Sequence, residues 1–560
     1  MRCSPESCGP PIQNTRLMDN TFLTRLSRPQ IEGYYAAALW GEETIYRRSQ
    51  NQAQRSPDRV AVRGNRNAVT YSQLIAAVDR LADRFASAGL RRGQRVAVWL
   101  PSRPAVAVAV LACSKAGLVV SPSFHRTHTV SETLHFLEVT RASALIGEVG
   151  YGADGHLENV FEHANQLPTM RLSIALTPSD NLDDELFAEG DVMGASPTVD
   201  DPDSVVYLAL TSGTTGQPKG VLHSDNTLLA NARALAEDWS IGPESVVYSF
   251  SPVSHNLGFG AMIMALTSGA EFVMHDAPRG SPLADRLRQT RATFVVGVPT
   301  HALDLVAELD SGSEPVTTVE GFRLSGASGA REVVRALARH GIVPQSGYGM
   351  TEAGSHHYTL PTDHLSTIVE TSGKACRGFE ARAFGIDNPD HPLPPGEVGH
   401  VGSRGASMML GYYDDQAATE DAFNADGWFM TGDLGSIDEQ GYIRITGRIK
   451  DIIVRGGHNI HPSKIEDLAM RHAGVAMAAA IPVPDERLGE RVCLAIAVAE
   501  GHDLTSVELL AHLQSEGLSR YDMPEFVLFT DNLPITATGK ILKRSLISSV
   551  HSGELIPEPV

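Results

Sequence analysis

The sequence predicts an α/β protein: a large N-terminal domain of helix-covered, mainly parallel sheets, followed by a small α+β domain. Two observations indicate this class. Amphipathic helical patterns alternate with short buried strands over most of the chain, which is typical of parallel sheets covered by helices. Near residue 450 the alternation stops, and charged residues with a Gly pair precede a separate set of helices and strands.

The alternation begins at Tyr71. Apolar residues recur at helical spacing from Leu74 to Phe85, Gly89 and Gly93 follow, and "RVAVWL" then predicts a buried strand. The same order of helix and strand recurs at "PAVAVAVLACSKAG" and "LVVSPS", at "TLLANARALAEDWS" and "VVYSFSP", and at "PLADRLRQTRA" and "TFVVGVP". Ligands of such folds bind at the carboxyl ends of the strands.

The C-terminal segment has its own pattern, with a helix from Ser463 to His472, the strands "VAMAAAIPVP" and "RVCLAIAVA", and the helix "TSVELLAHLQSEG". We therefore expect a leader and N-terminal extension over 1–47, an N-terminal domain over 48–449 and a C-terminal domain over 450–560. The first 18 residues lack the apolar core of a signal peptide. Translation could start at Met1 or at Met18, and the sequence leaves both open.

Composition excludes several classes of function. The 560 residues include 46 Lys and Arg against 66 Asp and Glu, and the net charge of −20 repels nucleic acid and anionic lipid. No apolar run reaches the ~18 residues of a spanning helix, so no transmembrane segment is expected. The five cysteines form no C-x-x-C pair, which argues against disulfides and zinc and favours a cytoplasmic protein.

A loop rich in Gly, Ser and Thr follows the strand "VVYLALT" and reads "TSGTTGQPKG" over residues 211–220. Its backbone N–H groups and hydroxyls suit a phosphate. A Walker A loop would need G-x-x-x-x-G-K-[ST], but here Gly220 stands where the metal-binding hydroxyl belongs. The loop therefore predicts phosphate binding of a different kind.

With this loop, four further motifs occur in the order typical of the acyl-adenylate-forming enzymes, which the chain resembles from about Arg48 to Ser545. They are "GYGMTE" at 347–352, "WFMTGDLG" at 428–435, "GRIKDIIVRGGHNIHP" at 447–462 and "LPITATGKILKR" at 533–544. That superfamily includes acyl-CoA ligases, adenylation domains of peptide synthetases, and luciferases. Five motifs in register make the resemblance specific.

The resemblance implies a site for ATP and Mg²⁺. Tyr348 would stack on adenine, Thr351 would hold the α-phosphate, and Glu352 would bind Mg²⁺ with Thr211. Asp433 would accept hydrogen bonds from the ribose hydroxyls, with Arg448 as a second ribose contact. The phosphate loop and the walls of the nucleotide site would add Ser212, Gly213, Thr214, Thr215, Gly216, Lys219, Gly326, Ala327, Gly349 and Met350.

The resemblance also implies catalysis in two half-reactions. Lys540 would stabilise the charge that develops as a carboxylate attacks the α-phosphate, an effect worth roughly 10²- to 10³-fold in rate. Lys450 would be the hinge about which the small domain rotates. Gly457 would then lie beside the tunnel for coenzyme A, where a side chain would obstruct the thiol.

The substrate is expected to be a small carboxylic acid. The segment "SFSPVSHNLGFG" places His255 beside the acyl pocket, where the resemblance makes it a residue that gates or orients the carboxylate. No acidic residue stands beside it to pair with an α-ammonium, so an amino acid is disfavoured. The other pocket candidates are apolar or small and predict an aromatic, alicyclic or medium-chain acid: Val298, Thr300, Gly326, Met350 and Ser355.

Three functions stay open at this stage. An acid–CoA ligase is the simplest, because no carrier domain follows Lys540 and coenzyme A diffuses freely. A ligase that loads a separate carrier protein is the second, and a nucleotide-binding protein without turnover is the third. The pair His356 and His357 lacks cysteine or acidic partners at ligand spacing, so we expect no metal there. A monomer and a homodimer are both compatible with the sequence.

Overall fold

The computed structural model describes residues 23–65, 67–178, 186, 196–211, 219–276, 281–325, 331–499, 501–535 and 541–560. Residues 1–22, the first part of the expected leader and N-terminal extension, lie outside these ranges. Within them, no helix is long and apolar enough to cross a membrane.

The first third of the chain alternates helices with buried strands. Its elements are α1 (Arg28–Ala36), α2 (Ile45–Arg55), β1 (Val60–Arg63), β2 (Ala68–Thr70), α3 (Tyr71–Ser87), β3 (Arg95–Trp99), α4 (Pro104–Ala116), β4 (Val119–Ser121), α5 (Val130–Val139), β5 (Ala142–Glu148), α6 (Val160–Ala164) and β6 (Leu172–Leu176).

The central third continues the alternation. Its elements are β7 (Val205–Thr211), β8 (Lys219–Ser224), α7 (Asp225–Asp238), β9 (Val246–Ser249), α8 (Asn256–Ser268), β10 (Glu271–Met274), α9 (Leu283–Thr290), β11 (Phe294–Gly297), α10 (Pro299–Asp310), β12 (Gly321–Ser325), α11 (Arg331–Arg339), β13 (Val343–Met350), β14 (Gly354–Tyr358), α12 (Leu365–Glu370) and β15 (Lys374–Ala375).

The last third changes character. It contains β16 (Phe379–Phe384), β17 (Gly399–Gly405), β18 (Gly411–Tyr412), α13 (Gln416–Asp421), β19 (Phe429–Ile437), β20 (Ile443–Arg448), a 3-10 turn (Ile449–Asp451), β21 (Ile453–Arg455), β22 (His458–Ile460), α14 (Pro462–Ala469), β23 (Val475–Asp485), β24 (Gly489–Val498), α15 (Ser506–Ser515), β25 (Phe526–Phe529), α16 (Lys543–His551) and β26 (Glu558–Pro559).

Two large sheets confirm the expected architecture. One has nine strands in the order β15-β14-β13-β12-β11-β9-β10-β1-β2, and its central pairs are parallel. The other has seven strands in the order β18-β8-β7-β4-β3-β5-β6, and four of its pairs are parallel. Antiparallel strands close both edges of the nine-stranded sheet and one edge of the seven-stranded sheet, whereas β6 closes the other edge in parallel, so the sheets are mixed.

Helices fill the space beside these sheets because their sequences are apolar where they contact them. Twelve of the thirteen residues of α4 are buried. Helix α3 begins at Tyr71 because the Thr70 hydroxyl and the Gln73 side chain form a capping box. One large hydrophobic cluster joins residues of both helices with both sheets, so the carboxyl ends of the parallel strands rest on a continuous core.

An antiparallel four-stranded sheet, β16-β17-β19-β20, was not predicted. The chain leaves this sheet at Arg448, passes the 3-10 turn, and enters a six-stranded sheet at Ile453. The two faces of that last sheet carry separate hydrophobic clusters, drawn from residues after 450. These clusters fit a C-terminal domain that begins near residue 450, although the boundary itself stays a prediction.

Two glycines with positive φ differ in how much room their surroundings leave for a side chain. Gly373 has φ +80° and Gly396 has φ +87°. A Cβ at Gly373 would overlap the backbone carbonyl of Tyr358, whereas a Cβ at Gly396 would meet nothing within 4 Å.

We expect Gly396→Ala to lower the free energy of unfolding by about 1–2 kcal/mol, which is the cost of the left-handed backbone alone. Gly373→Ala should cost more than about 3 kcal/mol, because the strand β14 must also move. Thermal and urea melts of the two variants measure the difference. Equal losses would contradict the close approach at Gly373.

Candidate active site

Three of the predicted nucleotide contacts lie together where two sheets meet. The Tyr348 hydroxyl, on β13, donates a hydrogen bond of 2.7 Å to Oδ2 of Asp433 on β19. Arg448, directly opposite Asp433 on β20, donates from Nε to Oδ1 at 2.9 Å. The Asp433 residue is only 4% exposed, so its carboxylate is held in place by an aromatic hydroxyl and a cation.

Burial and charge shift the titration of these groups. Burial raises the pKa of Tyr348 well above its usual value, and the neighbouring Asp433 charge adds to this rise. Burial alone would lower the pKa of Arg448, but the carboxylates of Asp433 and Asp451 outweigh it and raise the pKa. At neutral pH the tyrosine is therefore protonated and the arginine charged.

A second pair of predicted residues meets at a tyrosine that the motifs did not indicate. The Tyr412 hydroxyl donates to Oε1 of Glu352 at 3.0 Å. The Lys219 ammonium lies over the face of the same ring, 4.4 Å from its centre. Burial raises the pKa of Glu352, while the Tyr412 hydrogen bond and the Lys219 charge oppose that rise.

The residues around Glu352 are fixed by backbone contacts. The Thr351 carbonyl lies 2.7 Å from Nε2 of the buried His223. Gly349 must be glycine, because a Cβ there would overlap the carbonyl of Gly354. The Met350 carbonyl accepts a hydrogen bond of 3.5 Å from Asn256 at the start of α8, so that helix is tied to the end of β13.

Thr211, at the end of β7, pairs with Lys219 on the adjacent strand β8 and donates to its carbonyl.

His255 precedes α8 and stacks on His125, with ring centres 4.1 Å apart and ring planes 19° apart. The Nδ1 atom of His125 lies 2.9 Å from the Ser254 hydroxyl. Burial, with the charge on His128, lowers the pKa of His255 to about 4. His255 is therefore neutral at pH 7, and its Nε2 has no hydrogen-bond partner among the described residues.

The other candidates for the acyl pocket divide by exposure. Val298 is buried at the end of β11, and Ser355 is half-buried on β14. Thr300, on the first turn of α10, is exposed. The structure therefore places Val298 and Ser355 near the strand ends with Met350, and it leaves Thr300 at the surface.

His356 and His357 are buried on β14, with ring centres 4.8 Å apart. The His356 ring stacks on Phe379 and meets the Tyr348 ring edge-on at 5.0 Å. Within the described ranges, no group of three or more His, Cys, Asp and Glu side chains is arranged to hold a metal ion.

The two C-terminal residues that the motifs assign to domain rotation are both exposed. Lys450 lies in the 3-10 turn between β20 and β21. Gly457, with φ +84°, lies in the hairpin between β21 and β22, and a Cβ there would meet nothing within 4 Å. Residues of β12, β13 and α14 line a cleft of about 610 Å³, among them Leu324, Ser346 and Lys464.

Eight predicted residues lie outside the described ranges: Ser212, Gly213, Thr214, Thr215, Gly216, Gly326, Ala327 and Lys540. Their roles stay predictions. The neighbouring residues are described: Thr211 is the last residue of β7, Lys219 the first of β8, and Ser325 the last of β12.

Sequence reasoning missed Tyr412 and His125. Tyr412 lies 60 residues from Glu352 in the chain, in the unremarkable string "GYYDD". His125 belongs to the histidine-containing segment "SFHRTH", whose unusual composition was a signal without a chemical interpretation. Both contacts depend on how β18 and the loop after β4 approach the site.

Comparisons with known proteins find a matching family model and similar sequences over most of the chain. The family model described as AMP-binding enzyme matches residues 49–413, and the AMP-binding enzyme C-terminal domain matches residues 464–540. The chain is 31% identical over 519 residues to the medium-chain fatty-acid–CoA ligase of Escherichia coli (strain K12), with 91% of each chain covered. It is 32% identical to feruloyl-CoA synthase of an Amycolatopsis species, with 88% of this chain and 96% of that one covered.

The fold also matches solved structures. The ATP-bound crystal structure of MatB from Rhodopseudomonas palustris has a TM-score of 0.80 and 26% sequence identity, and the match covers 90% of this chain and 98% of that chain. The fold of the described residues is therefore that of a known class of nucleotide-binding structures.

Two tyrosine-to-carboxylate hydrogen bonds allow a matched test of the Glu352 environment. Tyr412, which is 5% exposed, donates to the half-buried Glu352, while the half-buried Tyr442 donates to Oδ1 of Asp363 at 2.8 Å. We expect Tyr412→Phe to lower the free energy of unfolding by about 1–3 kcal/mol, because water does not readily reach the buried position of the hydroxyl to replace the donor that the Glu352 carboxylate loses.

Tyr442→Phe should change the free energy of unfolding by less than about 1 kcal/mol, because water replaces the lost donor. The loss in Tyr412→Phe should also be larger at pH 8 than at pH 5. The charged carboxylate is the form that needs the donor, and its raised pKa leaves more of it protonated at pH 5. Thermal melts at the two pH values check this, and a pH-independent loss would contradict it.

Proposed function

Because this chain belongs to the AMP-binding enzyme family, we propose that it is an ATP-dependent acid–CoA ligase. It would activate a carboxylic acid to acyl-AMP with release of pyrophosphate, and then form acyl-CoA and AMP. The observation that carries this proposal is the buried Asp433 carboxylate, held between the Tyr348 hydroxyl and the Arg448 guanidinium.

This arrangement suits a nucleoside. The Asp433 oxygens are strong acceptors that two vicinal ribose hydroxyls would satisfy, and the Tyr348 ring beside them offers a flat surface for adenine. The same strand continues through Gly349 and Met350, and Thr351 comes directly after it. These residues would continue the site toward the phosphates. The loop 211–219 would close over the β- and γ-phosphates, with Lys219 as its charged end.

Mg²⁺ fits the donor set that faces these phosphates. Glu352 supplies a carboxylate and Thr211 a hydroxyl, and a hard cation of this kind takes one or two carboxylates together with substrate phosphates. Glu352 and Thr211 would therefore hold the ion, which would neutralise phosphate charge. The Lys219 ammonium lies over the ring of Tyr412, whose hydroxyl donates to Glu352. It would also neutralise phosphate charge.

The acid would bind beside His255. Within the part of the chain that the structure describes, Nε2 of this neutral imidazole has no hydrogen-bond partner, which suits a contact with a carboxylate oxygen of the acid. Val298, Met350 and Ser355 offer an apolar or small wall, so we propose an aromatic, alicyclic or medium-chain acid. The names of the relatives, a medium-chain fatty-acid–CoA ligase and a feruloyl-CoA synthase, support this range.

A panel of carboxylic acids, scored for AMP release with and without coenzyme A, tests the proposal. An acid–CoA ligase releases AMP only when acid, ATP and coenzyme A are all present. Acid-dependent pyrophosphate exchange without transfer to coenzyme A, but with transfer to a phosphopantetheinylated carrier, would instead indicate a carrier-loading ligase. No exchange with any acid would indicate a nucleotide-binding protein without turnover.

Lys540→Ala tests the role of the C-terminal lysine. We expect adenylation to fall by about 10²- to 10³-fold, because the charge that develops during carboxylate attack loses its ammonium. Conversion of supplied acyl-AMP to the thioester should persist. Lys543→Ala, three residues further along and paired with Glu466, is the control, and equal loss of both half-reactions in Lys540→Ala would refute the assignment.

Gly457→Leu tests the path of the thiol. We expect it to spare acid-dependent pyrophosphate exchange and to reduce thioester formation by at least about tenfold, because the side chain would occupy the tunnel. Gly441→Leu is the matched control, since Gly441 also lies in a hairpin with positive φ and open space around its Cβ. Normal transfer to coenzyme A in Gly457→Leu would refute the tunnel placement.

A further inference from the structure

A buried arginine that none of the motifs involves lies on β12 behind the site. Arg323 is 1% exposed. Its neighbours Phe322 and Leu324 pack into the hydrophobic cluster of the outer helices α9 to α12. Because side chains alternate along a strand, Arg323 points to the opposite, inner face of the nine-stranded sheet, where α7 and α8 lie.

The guanidinium is only partly satisfied there. Its Nη1 donates to Oε1 of Gln345 on the adjacent strand β13. Its Cζ lies 5.5 Å from the centre of the Tyr358 ring. Among the described residues, Nε and Nη2 have no hydrogen-bond partner, and the same holds for Nε2 of Gln345 and Nε2 of His356. We call Arg323, Gln345, His356 and Tyr358 the Arg323 cluster.

Among the described residues, no carboxylate forms an ion pair with this guanidinium. The Tyr358 hydroxyl donates to Asp238 at 2.8 Å, so the tyrosine and not the arginine holds that acid. Burial lowers the pKa of Arg323 to about 10, which leaves it charged at neutral pH. A buried cation with unpaired N–H groups is expensive, so buried charges are normally paired. The cluster therefore presents spare donors and a positive charge to an acceptor.

The cluster borders the residues proposed to hold the acid. Two residues beyond Arg323, β12 ends at Ser325, next to the predicted acyl-pocket residue Gly326. A Cβ at Gly347 would lie 3.0 Å from Nη2 of Arg323, so this nitrogen lies directly beneath the strand that leads to Tyr348. His356 follows the pocket candidate Ser355. The Arg323 cluster therefore lies beside residues that we propose to line the acyl pocket, on the strands β12, β13 and β14.

We propose that the Arg323 cluster binds a second oxygen of the acid substrate, a carboxylate or ketone oxygen remote from the carboxylate that is activated. The inference rests on the proposed acid–CoA ligase function and sharpens its substrate class. The acid has an apolar body, which matches the pocket walls, and carries an oxygen acceptor at its far end. A carboxylate would also neutralise the guanidinium, whereas a ketone would satisfy only its hydrogen bonds.

Matched acids with and without the remote oxygen test the inference. The pairs are heptanoate with pimelate, heptanoate with 6-oxoheptanoate, and cyclohexanecarboxylate with 4-oxocyclohexanecarboxylate. We expect wild-type kcat/KM for AMP release to favour an oxygenated member by at least about tenfold, because a polar site left unpaired rejects the analogue that lacks the acceptor. The pair that shows the preference distinguishes a carboxylate from a ketone.

Arg323→Met supplies the second arm. The ratio of kcat/KM between the two members should fall by at least about tenfold, because methionine keeps an unbranched stem that reaches the position of Nε and removes the guanidinium donors. Arg95→Met is the matched control. Arg95 is also buried, but it donates to the carbonyls of Thr140 and Arg141 in the other sheet, so its loss should leave the ratio unchanged.

The outcomes separate this inference from the function on which it rests. Equal use of both members by the wild type, or an unchanged ratio in Arg323→Met, overturns the inference and leaves the ligase standing. Stabilisation by chloride that disappears in Arg323→Met, together with equal use of the pairs, identifies an inorganic anion and also overturns it. Absence of pyrophosphate exchange with every acid overturns the proposed function itself.

Discussion

The Asp433 carboxylate is the contact on which the arrangement of this site depends. It joins the end of β13, in the nine-stranded sheet, to β19 and β20 in the antiparallel sheet, through the Tyr348 hydroxyl and the Arg448 guanidinium. A charge that is 4% exposed is stable only with such partners. The same requirement fixes where the two sheets meet, and it places the turn at residues 449–451 directly beside the site.

Buried polar groups recur around this junction, and they differ in how completely they are paired. Glu352 has the Tyr412 hydroxyl and the nearby Lys219 charge. His255 stacks on His125, but among the residues that the structure describes Nε2 of His255 and two nitrogens of Arg323 have no hydrogen-bond partner. A fully paired group stabilises the fold, whereas a half-paired one lowers stability and offers a contact to a ligand. This difference separates the residues that build the site from those available to a substrate.

The sequence allowed much of the fold to be predicted, because α3, α4 and β3 have strong local patterns that burial in the core preserves. The antiparallel sheet was missed, since β17 reads "GHVGSRG" and shows no hydrophobic alternation. The motif residues Tyr348, Asp433 and Arg448 were predicted and lie together. Tyr412, His125 and Arg323 were not, because their contacts join segments whose approach only the tertiary structure determines.

The Asp433–Arg448 pair also lies between the proposed nucleotide site and the segment that leads into the C-terminal sheet. Arg448 is the last residue before the 3-10 turn that leads into the C-terminal sheet. A ligand whose hydroxyls bind the Asp433 oxygens would share that carboxylate with the guanidinium of the residue that leads into the C-terminal sheet. If the ligand altered the Asp433–Arg448 pair, thermodynamic reciprocity would require that a change of backbone at Arg448 alter the affinity of the carboxylate for the ligand by the same factor. One ion pair would thus couple binding at the proposed nucleotide site to the segment that carries the C-terminal sheet.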